Sequence, residues 1–491
     1  MRTLLLTALT AVTVFVAPPA LAAPAATASS QSGWELPQIT VADRTIKDVD
    51  GRTVLLRGVN VNQLNDYAVN DPALPTVAPL ERNDFAAMAS LGFNVVRLNV
   101  AWSALEPAPG EFDQAYVDRI RTAVGDAKDH GIYTVLDMHQ DAWGKSIGTP
   151  SGESCPPLME PGVGWDGAPE WATRTHGWTT CNIGGIREVS PAIARAFQAF
   201  YDDEQGVQGR LVATWAKLAA EFRDEPAVVG YDLLNEPNPG LRDPVTAADQ
   251  IGRFYQRAIA AIRQAETGGF PHLVFFEPSA IWSALGFDAL PPPRYLTDPL
   301  VVFSPHLYSE SITVSSDFPS LESGFEIADR AAATYGAPLW TGEWGWWSAP
   351  ADQAADTERF VAAMNTYRIG GAWWSWKQAC GDPHPIRDGN TAEPQGNLER
   401  LDCPSGEPLE RVEGVAAALS QAYPRAVPGE LTEVTTRGFT GSGTGRIEAW
   451  YPGSERPSPA TTGVSELDLS PVEGGWRMTA RADGDYSVEI G

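Results

Sequence analysis

Between residues 37 and 422 the chain alternates short apolar runs with amphipathic stretches, and this alternation limits the fold more than any other feature. Runs at Arg57–Asn62, Asn94–Val100, Tyr133–Met138, Ala227–Leu234, His272–Phe276, Leu300–His306, Pro338–Gly342 and Gly371–Trp376 are apolar without alternating in polarity. That pattern belongs to strands buried on both faces of a parallel sheet. Apolar residues at helical spacing predict helices at 82–91, 115–130, 191–223, 245–266, 325–335, 352–369 and 409–421. Eight strands interleaved with helices predict an α/β fold, a (β/α)8 TIM barrel, rather than an open sheet. No G-x-G-x-x-G follows the first strand, which argues against a dinucleotide fold.

The flanking segments read differently. Residues 1–23 carry Arg2, an apolar run from Leu4 to Ala17 and an A-x-A site at Ala20–Ala22, the pattern of a secretory signal peptide cleaved near Ala22/Ala23. The mature protein is therefore expected to be secreted. Residues 24–36 are expected to be a disordered leader, from the Ala- and Ser-rich composition of 24–33. The barrel is expected over 37–424. Helical patterning stops after Pro424, and runs at 431–436, 445–450, 474–482 and 486–490 predict a small C-terminal β-sandwich over 425–491. A module of that size is marginal alone and should pack on the barrel.

An exported chain is expected to oxidise its four cysteines. Three connectivities are possible; Cys155–Cys181 and Cys380–Cys403 pair the closest neighbours. No C-x-x-C or H-x-x-x-H spacing points to a metal, and no cofactor or metal is expected. The formal charge of −27 argues against nucleic acid and against electrostatic docking on anionic bilayers.

Catalytic residues of a barrel sit at the C-terminal ends of its strands. Those ends carry Arg97, His139 and Asp141, Asn235-Glu236-Pro237, Glu277, His306 and Tyr308, Glu343, and Trp376. Glu236 and Glu343 lie on opposite strands, each inside an apolar run, where a carboxylate is costly unless it has a task. Opposed carboxylates at a barrel mouth suit glycoside hydrolysis: one protonates the leaving oxygen, the other attacks the anomeric carbon. Arg97 and Tyr308 are placed to keep Glu343 ionised, as the nucleophile. Glu236, with no cation adjacent in sequence, reads as the acid/base, and Asn235 as a partner for the sugar 2-hydroxyl. Glu277 and Glu106 read as wall and loop residues.

The set Arg97, His139, Asn235-Glu236-Pro237, His306, Tyr308, Glu343 and Trp376 resembles the active site of glycoside hydrolase family 5, a retaining (β/α)8 family. Within it, His139-Gln140-Asp141, GYDLLNEP (Gly230–Pro237) and WSWKQACGDPH (Trp374–His384) look like the endoglycoceramidases. The resemblance implies a secreted retaining endo-β-glycosidase that cleaves glycan from ceramide in glycosphingolipids, with Glu236 as acid/base and Glu343 as nucleophile. It implies a monomer with only transient membrane or micelle contact. A cellulase- or mannanase-like endo-glycanase of the same family is the alternative. Some endoglycoceramidases carry a lysine after the first strand, where this chain offers Asn62 and Asp66 instead. That departure leaves open whether the ceramide-linked sugar is glucose or galactose. Eleven of the 17 tryptophans map to or beyond the barrel rim. Half are expected to be core, and Trp376 is the expected sugar platform.

Overall fold

A computed structural model of the chain describes residues 27–28, 33–184, 186–312, 319–346, 350–387 and 396–490. The predicted signal segment and Trp347, one of the rim tryptophans, lie outside them. Eight parallel strands follow one another around a barrel: β1 (Arg57–Val61), β2 (Val95–Ala101), β3 (Tyr133–His139), β4 (Val228–Asp232), β5 (Leu273–Phe276), β6 (Val301–Phe303), β7 (Thr341–Trp344) and β8 (Gly371–Trp373). A parallel bridge between Phe303 and Leu339 closes the ring between β6 and β7, with Trp340 N donating to Phe303 O at 3.0 Å. All residues of these strands are buried, which is why their sequences do not alternate. Close approach sets one requirement: a Cβ on Gly58 would lie 1.6 Å from Val95 O, so only glycine lets β1 pair with β2 there.

The ladder is shorter than the apolar runs. Strands β4, β6 and β8 stop at Asp232, Phe303 and Trp373, although the runs continue to Leu234, His306 and Trp376. Residues past each stop leave the hydrogen-bond register and carry the side chains of the site. One predicted helix is two, Pro191–Tyr201 and Val207–Phe222. Asp203, Gln205 and Gly206 take left-handed φ values of 51°, 55° and 78° between them, and the Asp203 carboxylate accepts from Gly209 N at 3.0 Å. The periodicity runs through the break because both pieces, through Ile193, Phe197, Leu211 and Trp215, bury into the same core.

The domain boundaries also shift. Strands Ile39–Ala42, Thr45–Asp48 and Arg52–Val54 belong to the C-terminal antiparallel sheet, not to the barrel. Strand Tyr423–Pro428 joins them, pairing with Arg52–Val54 on one side and with Gly438–Pro452 on the other, so the predicted boundary at 424 falls inside a strand. Glu430–Thr435, Ala460–Val472 and Gly475–Glu489 complete a module of β-sandwich type around Tyr423, Val427, Trp450, Met478 and Tyr486. The strand at 460–472 has no apolar signal because most of it faces solvent; its ladder to 475–489 is what makes it a strand. Trp34 and Leu36, assigned to the disordered leader, are buried, and the Arg425 guanidinium lies 3.9 Å from the Trp34 ring centre. A large aromatic with a cation to stack on orders where Ala and Ser do not.

The module packs on the N-terminal end of the barrel. Tyr423 OH donates to Gly92 O at 2.8 Å and Arg425 Nη2 to Gly131 O at 2.5 Å, in the turns that lead into β2 and β3. The C-terminal mouth of the barrel is thus left to the loops that follow the strands. Both predicted disulfides are formed, Cys155–Cys181 and Cys380–Cys403, with Cα–Cα distances of 5.8 and 5.6 Å. Among the described residues no helix is long and apolar enough to cross a membrane.

Candidate active site

Arg97, on β2, points into the barrel and has no exposed surface. Its guanidinium donates to Asp232 at 2.9 Å, Asn60 at 3.0 Å, Asn235 at 3.1 Å and Glu343 Oε1 at 2.7 Å, and lies 2.9 Å from Asp137 and 3.3 Å from Glu277. Several buried carboxylates around one arginine exceed its charge, so part of the group is held neutral. Burial pushes the Glu277 carboxyl up to about 8 against the pull of His306 and Arg97. Burial also raises Asp232 to about 6, with Arg97 pulling it down and Asp137 pushing it up. Asp137 and Asp232 were not singled out by the sequence reading. Their signal was available: each is an acidic residue inside a fully apolar buried strand, a place chosen only when a cation waits opposite.

The two predicted carboxylates meet above this layer. Glu343 Oε2 accepts from Tyr308 OH at 3.0 Å while Oε1 takes Arg97, as the sequence predicts. His306 lies between the glutamates, its Nδ1 2.9 Å from Glu236 Oε1 and 3.2 Å from Glu343 Oε2, its Nε2 2.7 Å from Glu277. Glu236 has a left-handed φ of 39° just before Pro237, a strained turn of the kind kept at functional sites. Asn235 is oriented from both ends: its amide nitrogen donates to Gln140 O at 2.9 Å and its oxygen takes Arg97.

The reason given for Glu236 being an acid is corrected here. Its surroundings are not short of cations. Oε2 accepts from Arg187 at 3.1 Å, and Oε1 takes His306 and Ser283 Oγ, the latter at 2.5 Å. Burial raises the Glu236 pKa, but the His306 hydrogen bond and the charges of His306 and Arg187 outweigh it and bring the group down to about 2. His306 answers in the other sense: burial opposes its charge, while Glu277, Glu343 and the bond to Glu236 hold it well above the ordinary imidazole range. Both shifts favour a carboxylate paired with an imidazolium, their nearest atoms 2.9 Å apart. Arg187 reaches Glu236 from the insert after β3, about 50 residues away in sequence, so no local reading could have paired them.

A second polar group adjoins the first. His139 Nδ1 lies 2.7 Å from Asp137, and its ring stacks on Trp374 at 5.4 Å and 13°. Asp141 takes Arg187 at 2.7 Å and lies 3.3 Å from His384, which is 2.7 Å from Asp382. Asn62 donates to Asp382 at 3.1 Å and to Tyr67 OH at 3.0 Å, so it belongs to this group as predicted. Asp166, from the insert, accepts from Asp141 N at 3.1 Å; burial raises its carboxyl to about 8, with Asp141 adding to the rise and His139 opposing it. His139–Asp141–Asp166 and Glu236–His306–Glu343 each bring donor atoms within 4.8 Å of one another. Arg187 and Arg97 already sit against both groups, so each reads as an ion-pair network rather than a metal cage.

Two predicted residues are placed elsewhere. Asp66 turns to Ser103 at 2.7 Å and Lys145 at 2.5 Å, on the outer side of its loop, because a nearby lysine offers a better partner than a crowd of carboxylates. Trp376 is fully buried in the core, its Nε1 donating to Asp84 at 3.0 Å on the helix Arg82–Ser90. Trp374, two residues earlier and 3% exposed, is the tryptophan that faces His139 and His384. Trp143, Trp165, Trp282, Trp344, Trp346 and Trp373 are likewise buried, so core packing claims more of the rim tryptophans than the expected half; Trp178 is exposed.

Comparison with known proteins bears on this geometry. Residues 48–380 match the family Cellulase (glycosyl hydrolase family 5). The chain is 31% identical over 278 residues to Endoglycoceramidase I of Rhodococcus hoagii (strain 103S), a match spanning 54% of this chain and 52% of that protein. The chain thus spans about half the length of the curated relatives it matches. Against the crystal structure of an endogalactoceramidase it is 75% identical with a TM-score of 0.91, covering 93% of this chain and 100% of the other. Against endo-glycoceramidase II from a Rhodococcus species in complex with ganglioside GM3 it is 25% identical with a TM-score of 0.70, covering 91% and 99%.

Proposed function

The chain belongs to the cellulase family, glycosyl hydrolase family 5, and on that premise we propose that it is a secreted, retaining endo-β-glycosidase that cleaves the bond between glycan and ceramide in glycosphingolipids. The observation that carries the mechanism is a distance. Carboxylate oxygens of Glu236 and Glu343 lie within 4.8 Å of each other. Inverting enzymes need roughly 6.5–9.5 Å to fit a water between the two groups, whereas retaining enzymes use about 5 Å.

In the first step Glu343 attacks the anomeric carbon while Glu236 gives a proton to the glycosidic oxygen, so the carbon–oxygen bond breaks and the ceramide alcohol leaves. Arg97 and Tyr308 fix the attacking carboxylate through both its oxygens. His306, bonded to Glu236, supplies the proton that Glu236 lacks in the structure. In the second step Glu236 takes a proton from water, which attacks the glycosyl–Glu343 ester and releases the glycan with its configuration kept.

The lipid substrate rests on the named relatives and on where apolar surface lies. Of twelve large apolar side chains exposed among the described residues, all but Leu467 fall in segments that follow the C-terminal ends of barrel strands. They include Leu158, Trp178, Ile186, Leu241, Phe287 and Ile312. Such a rim suits passing contact with a micelle or bilayer at the same end as the carboxylates. The 75% identity to an endogalactoceramidase favours a galactose–ceramide bond over a glucose–ceramide bond. The test is to incubate the protein with galactosyl- and glucosyl-linked glycosphingolipids in nonionic detergent, and separately with soluble β-glucan and mannan. Intact glycan and ceramide are the expected products, fastest from the galactosyl series. Reducing ends from a polysaccharide, with no ceramide from any lipid, would assign the chain to the endo-glycanases instead.

A further inference from the structure

We propose that Arg187 is a positioning residue for the acid/base: from the side of the insert it orients the Glu236 carboxyl and favours its carboxylate form. The inference rests on reading Glu236 as the acid/base. Three observations carry it. The first is hydrogen-bond arithmetic at Glu236. Oε1 accepts from Ser283 and His306, and Oε2 accepts from Arg187 Nη2 at 3.1 Å. Guanidinium and hydroxyl groups both donate here, so an acidic proton on Oε2 would meet a donor head-on. With Arg187 in place an acidic proton belongs on Oε1, the oxygen that faces His306 and Ser283, so Arg187 fixes which oxygen carries it.

The second is how Arg187 is held. Nη1 lies 2.7 Å from Asp141, Nε contacts Glu188, and the guanidinium sits 4.6 Å from the Trp165 ring centre. It is anchored across the site, not simply laid against it. The third is space. The hollow bounded by Gln140, Asp141, Arg187, Glu236 and Asn238 holds about 10 Å³, no more than one water needs and far too little for a sugar ring.

The segment around Arg187 has two faces. Ile186 and Val189 flank it and are 53% and 44% exposed. Arg187 lies on a single 3-10 turn, Arg187–Val189, tied to the barrel mainly by Arg187 itself and by Asn238 donating to Glu188 O at 2.9 Å. This turn thus carries apolar residues on its outside and the cation on its inside. Besides Arg187, the charged or titratable groups facing Glu236 are His306 and Tyr308 after β6, Asp141 after β3 and Glu343 on β7. Removing one cation from that set must strengthen proton binding at Glu236.

The test compares wild type, Arg187→Met and Arg187→Lys. Carbon-13 labelling of glutamate carboxyls, with the Glu236 signal assigned by its loss in Glu236→Gln, reads protonation without any substrate. The expected result is a Glu236 midpoint at higher pH in Arg187→Met, with Arg187→Lys between it and wild type. On a detergent-dispersed glycosphingolipid, Arg187→Met should move the alkaline limb of kcat/KM to higher pH. An unchanged midpoint with a lower Tm would overturn the proposal and leave Arg187 a structural residue. A tenfold rise in KM at an unchanged midpoint would overturn it in favour of direct substrate contact. If wild type cleaves no glycosphingolipid, the proposed function fails, while the carboxyl titration still decides the role of Arg187.

Discussion

Trp374 and Trp376 stand two residues apart, and the structure separates their tasks: one stacks on His139 in the site, the other hydrogen-bonds Asp84 in the outer layer. Trp374→Ala should lower kcat/KM about tenfold at temperatures where the variant stays folded, the loss of one aromatic contact in the site. Trp376→Ala should instead cost about 3–5 kcal/mol of stability, read by urea unfolding. Equal effects on both measurements for both variants would contradict the division. Glu343→Gln should abolish turnover while substrate binding persists, and Glu236→Gln should lower kcat roughly 10²–10⁴-fold. Glu277 carries a stability prediction. Its folded pKa of about 8 lies above the ordinary 4.5, so the folded protein keeps a proton that the unfolded chain releases between those values. Its contribution is present below pH 4.5 and lost as pH rises toward 8, and Glu277→Gln should flatten the fall in Tm between pH 5 and 8. At this scale Asn235, His306, Tyr308 and the two glutamates were legible because each sits at or just past a strand end, and Arg97, inside its strand, because a charge in a buried apolar run stands out. Asp166 and Arg187 were not, because the insert brings them in from outside the barrel repeat.

Elements divide in the same way. The barrel strands were readable because burial on both faces leaves a continuous apolar run, and their ends were overestimated because apolarity continues past the last ladder bond. The solvent-facing strand 460–472 left no such trace. The insert 144–190 has little regular structure to hold it, only 3-10 turns and a two-stranded ladder, Met159–Glu160 with Asn182–Ile183. The Cys155–Cys181 bridge closes a loop of 26 residues across it, worth about 3 kcal/mol by chain entropy. Because Asp166 lies inside that loop and Arg187 just past it, Cys155→Ser should reduce activity more than fold: kcat/KM drops severalfold while far-UV circular dichroism at 25 °C is unchanged. An activity loss that merely tracks unfolding would count against a role for the insert in building the site.

At the scale of the molecule, the proposed function makes the net charge of −27 and the apolar rim the features that would govern contact with lipid. Binding to vesicles of neutral lipid should hold or strengthen as salt rises from 50 to 500 mM, and adding anionic lipid should weaken it, both read by co-sedimentation. Steep loss of binding with salt would refute an apolar contact. The C-terminal module sits at the opposite end of the barrel and shares its sheet with residues 39–54, so it is part of the body of the protein. The sequence by itself determined the repeat, the parallel barrel, the two disulfides and the strand-end residues, because periodicity, burial and strand position are local properties written along the chain. Tertiary structure alone decided which tryptophan faces the site, which sheet the first strands join, and that Arg187 sits on Glu236. Those depend on which distant segments meet, and the electrostatics of a buried carboxylate are set by neighbours in space, not in sequence.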